Sequence, residues 1–193
     1  MRAVAGQAEI EVAFGPGRPE VSANSVQLPE PPRVPSAKDV AVVRGWADSI
    51  ALSLGCHDNK IHKRIVPPPG AGRMVFEAAE KARVEALGAN RMAGMAKNLT
   101  ARLEAVYSHN RFAGPMERAE APLEDALALI IRERLTGLPP PASCKGLVDV
   151  WRPIIESKGA NVLKRLEGMS EQQEPFGRQI RDLLKALHLA EDI

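Results

Sequence analysis

Three proline clusters divide this 193-residue chain into pieces that must fold as separate elements. Proline fixes its own φ, lacks an amide hydrogen and pushes the residue before it into extended backbone, so no helix or central strand runs through such a cluster. Leu28 to Pro35 holds four prolines in eight residues, Pro67-Pro68-Pro69-Gly70 forms a second block, and Pro139-Pro140-Pro141 a third. Whatever core the chain builds has to be assembled from the segments between these breaks.

Ahead of the first break the pattern is that of strands. Ile10, Val12 and Phe14 alternate with Glu9, Glu11 and Ala13, the period of a half-buried strand. Gly15-Pro16-Gly17-Arg18-Pro19 is turn chemistry, and Val21, or Val26 to Leu28, supplies a returning strand. The expectation for residues 1–35 is therefore an antiparallel, hairpin-like β element followed by a proline-rich connector.

After it the period is helical. Ser36 reads as an N-cap with Asp39 in the first turn, opening a helix to about Leu54 with Val40, Val43, Ala47, Ile50 and Leu54 on one face and Gly55 as its stop. A second helix is expected from about Ala71 to Leu87, ended by Gly88. A third carries Met92, Met95, Ala96, Leu99, Leu103 and Val106 as a core stripe. The fourth starts at Pro122, buries Leu123, Leu127, Ile130, Ile131 and Leu135, and stops at Gly137. Ser143 is positioned to cap a fifth, with Leu147, Val148 and Trp151 inward and Pro153 kinking or restarting it. The sixth presents Phe176, Ile180, Leu183, Leu184 and Leu187. The fold class that follows is mainly α: about six helices over 36–193, forming one domain with the small N-terminal β element.

Composition removes several classes of function. With 26 Lys+Arg against 24 Asp+Glu the chain is close to neutral, so no general electrostatic case for nucleic acid or membrane exists. Cys56 and Cys144 are far apart and form no CxxC, too few for a thiolate zinc site or a disulfide scaffold; they read as free thiols. No apolar run approaches the roughly 18 residues of a membrane span, and no secretory leader is visible at Met1–Gln7, so the expected compartment is the cytoplasm.

Motifs for chemistry are sparse. Gly70-Ala71-Gly72 precedes a helix but lacks the third glycine of a dinucleotide fingerprint, which falls on Val75, and GxxxxGK[ST] does not occur. His57, Asp58 and His62 offer ligand-type side chains at helical spacing, the basis of a reading as a small metal-dependent hydrolase. Lys60, Lys63 and Arg64 surround them with positive charge, and the competing reading places His57 at the negative end of a helix. Glu77 and Lys81 are spaced as an i, i+4 surface pair. Residues 38–118 carry 13 basic and 8 acidic side chains, against small negative balances on either side. That basic middle, with Lys60, Lys63, Arg64, Arg73, Arg83 and Arg91, suits an acidic partner. The same stretch underlies a third reading as a nucleic-acid-binding module, weakened because few aromatics are interleaved for base stacking.

Longer blocks carry a more specific signal. Arg44-Gly45-Trp46-Ala47-Asp48-Ser49 with Cys56-His57-Asp58, then Ala82-Arg83-Val84-Glu85-Ala86-Leu87-Gly88-Ala89-Asn90-Arg91-Met92-Ala93-Gly94, Ala121-Pro122-Leu123-Glu124-Asp125-Ala126-Leu127, Arg132-Glu133-Arg134-Leu135-Thr136-Gly137 and Leu147-Val148-Asp149-Val150-Trp151-Arg152-Pro153 occur in that order. Together they resemble the N-terminal region of the cobaltochelatase T subunit family, CobT, of aerobic cobalamin biosynthesis. The resemblance implies a subunit of an ATP-dependent ligase complex that inserts Co(II) into hydrogenobyrinic acid a,c-diamide. It implies an AAA+ ATPase partner (CobS), a large corrin-binding partner (CobN), and homo-oligomers of the full-length subunit. ATP, Mg and Co then belong to the complex, with no cofactor bound by this chain. The Asp-x-Ser-x-Ser loop of the family's von Willebrand A-type domain is missing, as is its acidic linker, the sequence ending at Glu191-Asp192-Ile193. The expectation is a domain inactive in isolation, with no catalytic or metal residues, serving assembly or docking, with Arg64, Arg83, Asn90 and Arg91 as candidate partner contacts.

Overall fold

The computed structural model describes residues 1–109 and 112–189; the terminal Glu191-Asp192-Ile193 lies outside the described residues. Eight α-helices and a three-stranded sheet are found among them: α1 (Arg2–Ala5), β1 (Glu11–Gly15), β2 (Glu20–Val21), β3 (Ser25–Pro29), α2 (Ala37–Cys56), α3 (Asn59–Ile65), α4 (Ala71–Arg91), α5 (Ala93–Ser108), α6 (Leu123–Thr136), α7 (Lys145–Leu166) and α8 (Gln173–Ala186). The fold is mainly α with a small N-terminal sheet, as the proline and glycine punctuation predicts. Two of the eight helices are additions to the expected six. α1 is a single turn, and α3 has only seven residues, too few for Ile61 and Ile65 to read as a periodic stripe.

The sheet corrects the hairpin expectation. Its order is β1-β3-β2, with β1 parallel to β3 and only β2 antiparallel to it. The tight turn lies between β2 and β3, where the Ser22 amide donates to the Ser25 carbonyl at 2.9 Å. Register places Val12, Val26 and Val21 side by side, and Phe14 beside Leu28. Val26 and Leu28 on the central strand are buried, whereas Val12 and Phe14 on one edge and Val21 on the other are exposed. The alternation in β1 marks the correct face; the helix beneath is simply too narrow to cover both edges. Ala5, Ile10, Val26 and Leu28 close on Ala51 of α2 as a small core of their own.

α4 organises the rest. It packs against α2, α5, α6 and α8, and seven successive residues, Ala82 to Gly88, are buried, so water reaches no face of this stretch. Small side chains allow that crowding. Gly88, expected to end the helix, lies inside it, where a Cβ would stand 2.5 Å from Leu52 Cδ1. The helix instead stops at Arg91, and Met92 is an exposed joint rather than a core residue. The principal core joins α4 and α6 to α7 and α8 through Phe76, Leu127, Ile130, Leu147, Ile155, Leu163, Phe176 and Ile180.

The helix ends follow their expected chemistry only in part: Gly55, expected to stop α2, lies inside it, as Gly88 lies inside α4. Ser36 and Asp39 form a reciprocal capping box at α2, and Gly137 closes α6 in the left-handed region at φ 70°. Ser143 does not cap α7. It lies in a 3₁₀ turn (Ala142–Cys144), and its hydroxyl donates to Glu104 at 3.0 Å. α7 continues through Pro153 without a break in helical assignment.

Candidate functional site

Two buried polar clusters flank α4, one on each side of the helix. In the first, Glu80 and Arg83 lie one turn apart, both in the core. Arg83 Nε donates to Glu80 Oε2 and Nη2 to Oε1, each at 2.7 Å, a forked pair that suits the planar guanidinium. Its remaining donors reach the carbonyls of Ser170 at 2.7 Å and Cys56 at 3.0 Å. His57 Nδ1 approaches Glu80 Oε1 at 2.7 Å, and since a carboxylate only accepts, Nδ1 carries the proton. Gln173, at the start of α8, clamps the backbone of Asp58: its Oε1 accepts from the Asp58 amide at 2.7 Å and its Nε2 donates to the Asp58 carbonyl at 2.9 Å. Burial alone raises the pKa of Glu80, but the hydrogen bonds and charges of Arg83 and His57 together outweigh it and hold the carboxyl below its ordinary range.

This geometry decides how the sequence-predicted residues are used. His57 and His62 do come together, with ring centroids 4.8 Å apart. Asp58 does not join them as a ligand, because its Oδ1 caps α3 by accepting from the amides of Lys60 at 2.7 Å and Ile61 at 3.1 Å. His62 Nε2 faces Glu77 at 3.1 Å. Among the described residues no three His, Cys, Asp or Glu side chains converge as a metal site. Of the candidate partner contacts, Arg83 is removed from the surface, being 1% exposed with its donors engaged inside the chain. The other three are exposed. Arg64 Nη2 donates to Glu174 at 3.0 Å, Asn90 Nδ2 to the Leu135 carbonyl at 3.0 Å, and Arg91 Nη2 to both oxygens of Glu171 at 2.8 and 2.7 Å. The basic middle of the sequence is thus answered partly by acids of the loop before α8 and of α8 itself.

The second cluster escapes sequence reasoning. Arg102 of α5 is buried beside Glu85 of α4, with Nη2 donating to both carboxylate oxygens at 2.8 and 2.7 Å. Ser49 of α2 donates to Glu85 Oε1 at 2.6 Å and accepts from Arg102 Nη1 at 3.2 Å, so one ion pair ties three helices. The guanidinium carbon stands 5.1 Å from the centre of the Trp46 ring. Arg102 Nε, by contrast, is buried with no hydrogen-bond partner.

Beside that orphan donor lies a cleft of about 180 Å³ between α4, α5 and α6, with Trp46 of α2 at its edge. Ala78, Ala82 and Ala128 leave the space by their small size, and Leu103 and Leu129 add apolar wall. Lys81 lines it too, not paired with Glu77 as spacing suggests; Glu77 turns instead to His62 and, at 3.6 Å, to Arg73. Protein crowded around the Lys81 ammonium draws its pKa down by desolvation. Desolvation, reinforced by Glu124, raises the pKa of Asp125 on the opposite wall, against the hydrogen bond from Tyr107 and the charge of Lys81. Tyr107 is pushed far up, chiefly by burial and then by the Asp125 charge. The one sequence sign of this site is a charged residue, Arg102, set between Leu99 and Leu103 on the apolar stripe of α5.

Cys56 and Cys144 are both free thiols, and burial pushes Cys144 up to about 12, which leaves it an unreactive thiol at neutral pH. Among the described residues no helix is long and apolar enough to cross a membrane. Compared with known proteins, the chain matches over residues 1–193 the family model described as "Cobalamin biosynthesis protein CobT". No solved structure matches it.

Proposed function

The chain belongs to the CobT family of cobalamin biosynthesis proteins, and from that premise we propose that it is a non-catalytic assembly domain of an ATP-dependent cobaltochelatase. One observation carries this reading. The acid, base and cationic side chains of the core are engaged by one another, His57 and Arg83 by Glu80, and Arg102 of α5 by Glu85 of α4, which is the work of a scaffold. In this role the domain presents Arg64, Asn90 and Arg91 to an AAA+ ATPase subunit of the CobS type, while a CobN-type subunit holds the corrin. ATP and Mg²⁺ act on the ATPase subunit, Co(II) is the substrate ion, and the complex works in the cytoplasm. Arg83 contributes from inside, by fixing the path of α4 beneath Arg91.

The test is co-purification of the chain with the ATPase subunit, together with an Arg91→Glu variant. Because the Arg91–Glu171 pair is exposed and screened by solvent, its loss changes stability little. Retention of wild type, with at least about tenfold weaker association of the variant at an unchanged melting temperature, is expected. ATP hydrolysis or Co(II) insertion by the chain alone, or equal association of the variant, overturns the reading.

A further inference from the structure

The small sheet ends in an open edge. Its order is β1-β3-β2, so among the described residues β1 pairs on one side only. Glu11 donates its amide to the Asn24 carbonyl at 2.9 Å, and Gly15 accepts from the Glu30 amide at 3.0 Å, both across to β3. Backbone groups of successive strand residues point to alternate sides, so the amides and carbonyls of Val12 and Phe14 face outward. Their side chains share the face of Val26 and Leu28, on which α2 packs, yet they remain 36% and 58% exposed. An edge that sets free donors and acceptors beside exposed apolar side chains is a template for another strand. The usual guards are missing, since Glu11–Gly15 contains no lysine, no proline and no break in register.

We infer that β1 pairs antiparallel with β1 of a second copy of this chain, about a twofold axis at Ala13, joining the two sheets into one. Outward residues bond only to outward residues, which leaves few registers. Centred on Ala13, Val12 lies opposite Phe14 of the other copy, and the two such pairs exchange all of their outward amides and carbonyls. Shifted one way, Phe14 meets Ile10, whose carbonyl is already taken by Arg2 Nε at 2.9 Å. Shifted the other way, Val12 meets Pro16, which has no amide. The central register also makes two aromatic–β-branched cross-strand pairs. Charge favours it as well: Glu11 lies opposite Gly15 rather than its own copy, and the Arg18 end of each strand runs toward the Glu9 end of the other, both side chains being exposed. A strand from another protein would find the same backbone groups, but this edge is complementary to itself in bonds, apolar pairs and charge. Two strands of five residues cover far less than the roughly 1,600 Å² of a standard stable interface, so the dimer is weak and reversible. The contact goes beyond the docking role and uses none of Arg64, Asn90 and Arg91.

Analytical ultracentrifugation of the chain up to about 1 mM is expected to show a monomer–dimer equilibrium with a Kd at or below about 1 mM. Phe14→Lys, made at an exposed side chain, should weaken it at least about tenfold at an unchanged melting temperature. Oxidative cross-linking then reads the register. Ala13 lies opposite itself in a non-hydrogen-bonded pair, with Cα atoms about 4.5 Å apart, so Ala13→Cys is expected to give a disulfide-linked dimer. Glu11→Cys, on the same exposed face of the same strand, stands four positions from its counterpart, about 14 Å away and beyond disulfide reach, and is expected to stay monomeric. The wild-type chain, with Cys56 and Cys144, sets the background. A monomer at every concentration, undiminished association of Phe14→Lys, no cross-link in Ala13→Cys, or one formed as readily in Glu11→Cys overturns the pairing.

Discussion

Glu80 shows how much a single carboxylate can hold in a core of this kind. Glu80→Gln leaves the guanidinium of Arg83 buried without its counter-charge, and such half-broken pairs destabilise by about 3–5 kcal/mol. The double variant Glu80→Leu with Arg83→Met should recover much of that loss in urea unfolding, since removing both charges removes the desolvation penalty with them. The sign of the pH effect follows from the depressed carboxyl. Stability from Glu80 is fully present above its ordinary value of 4.5 and is lost as pH falls through the lower value of the folded state. Asp125 has the opposite sign. Its raised pKa favours the fold below its ordinary value of 3.8, and that advantage fades as pH rises through the folded value, so at pH 7 the charged form is a burden. Asp125→Asn should therefore raise the melting temperature at pH 7 and confer no gain in acid, as thermal unfolding at the two pH values will show.

At the scale of elements, closeness of approach sets the tolerance to change. At Gly45 a Cβ would stand 2.2 Å from the Asn98 carbonyl of α5, so Gly45→Ala must force α2 and α5 apart and should lower stability by about 1–3 kcal/mol. Gly94, in the first turn of α5, has nothing within 4 Å of the same position, and Gly94→Ala should stabilise by about 0.4–1 kcal/mol in the same unfolding assay. Five of the longer helices were legible from proline and glycine breaks and a 3.6-residue stripe, and α8 buries Phe176, Ile180, Leu183 and Leu184 as expected, with Leu187 half-buried just past its end. What the sequence hid has physical causes. α3 is short; the parallel pairing of β1 with β3 depends on which strand ends up central; and Gly88 reads as a stop unless Leu52 and Met95 are known to press on it. The candidate site was hidden more deeply, since Glu85–Arg102 joins α4 to α5 and no spacing rule within one helix reports it.

For the whole molecule, the described residues form a large core on α4, α6, α7 and α8, a smaller one under the sheet, and a third between α2, α4 and α5 made of Leu52, Val84, Met95 and Leu99. Local opening should follow this division. In hydrogen exchange the amides of Ala82 to Gly88 are expected to be the slowest and those of β1 and β2 among the fastest, and comparable protection in the two regions would contradict the separation. The long-range polar contacts join segments that lie far apart in chain order. Gln173 clamps Asp58 across a separation of 115 positions, and the same junction completes the shell of Arg83 through the Ser170 carbonyl. During synthesis at about 5–20 residues per second, Asp58 emerges roughly 6 to 23 s before the side chain that fastens it. Until then Arg83 and Glu80 hold a half-finished joint, and the nascent chain waits on α8 to lock a junction begun at the end of α2.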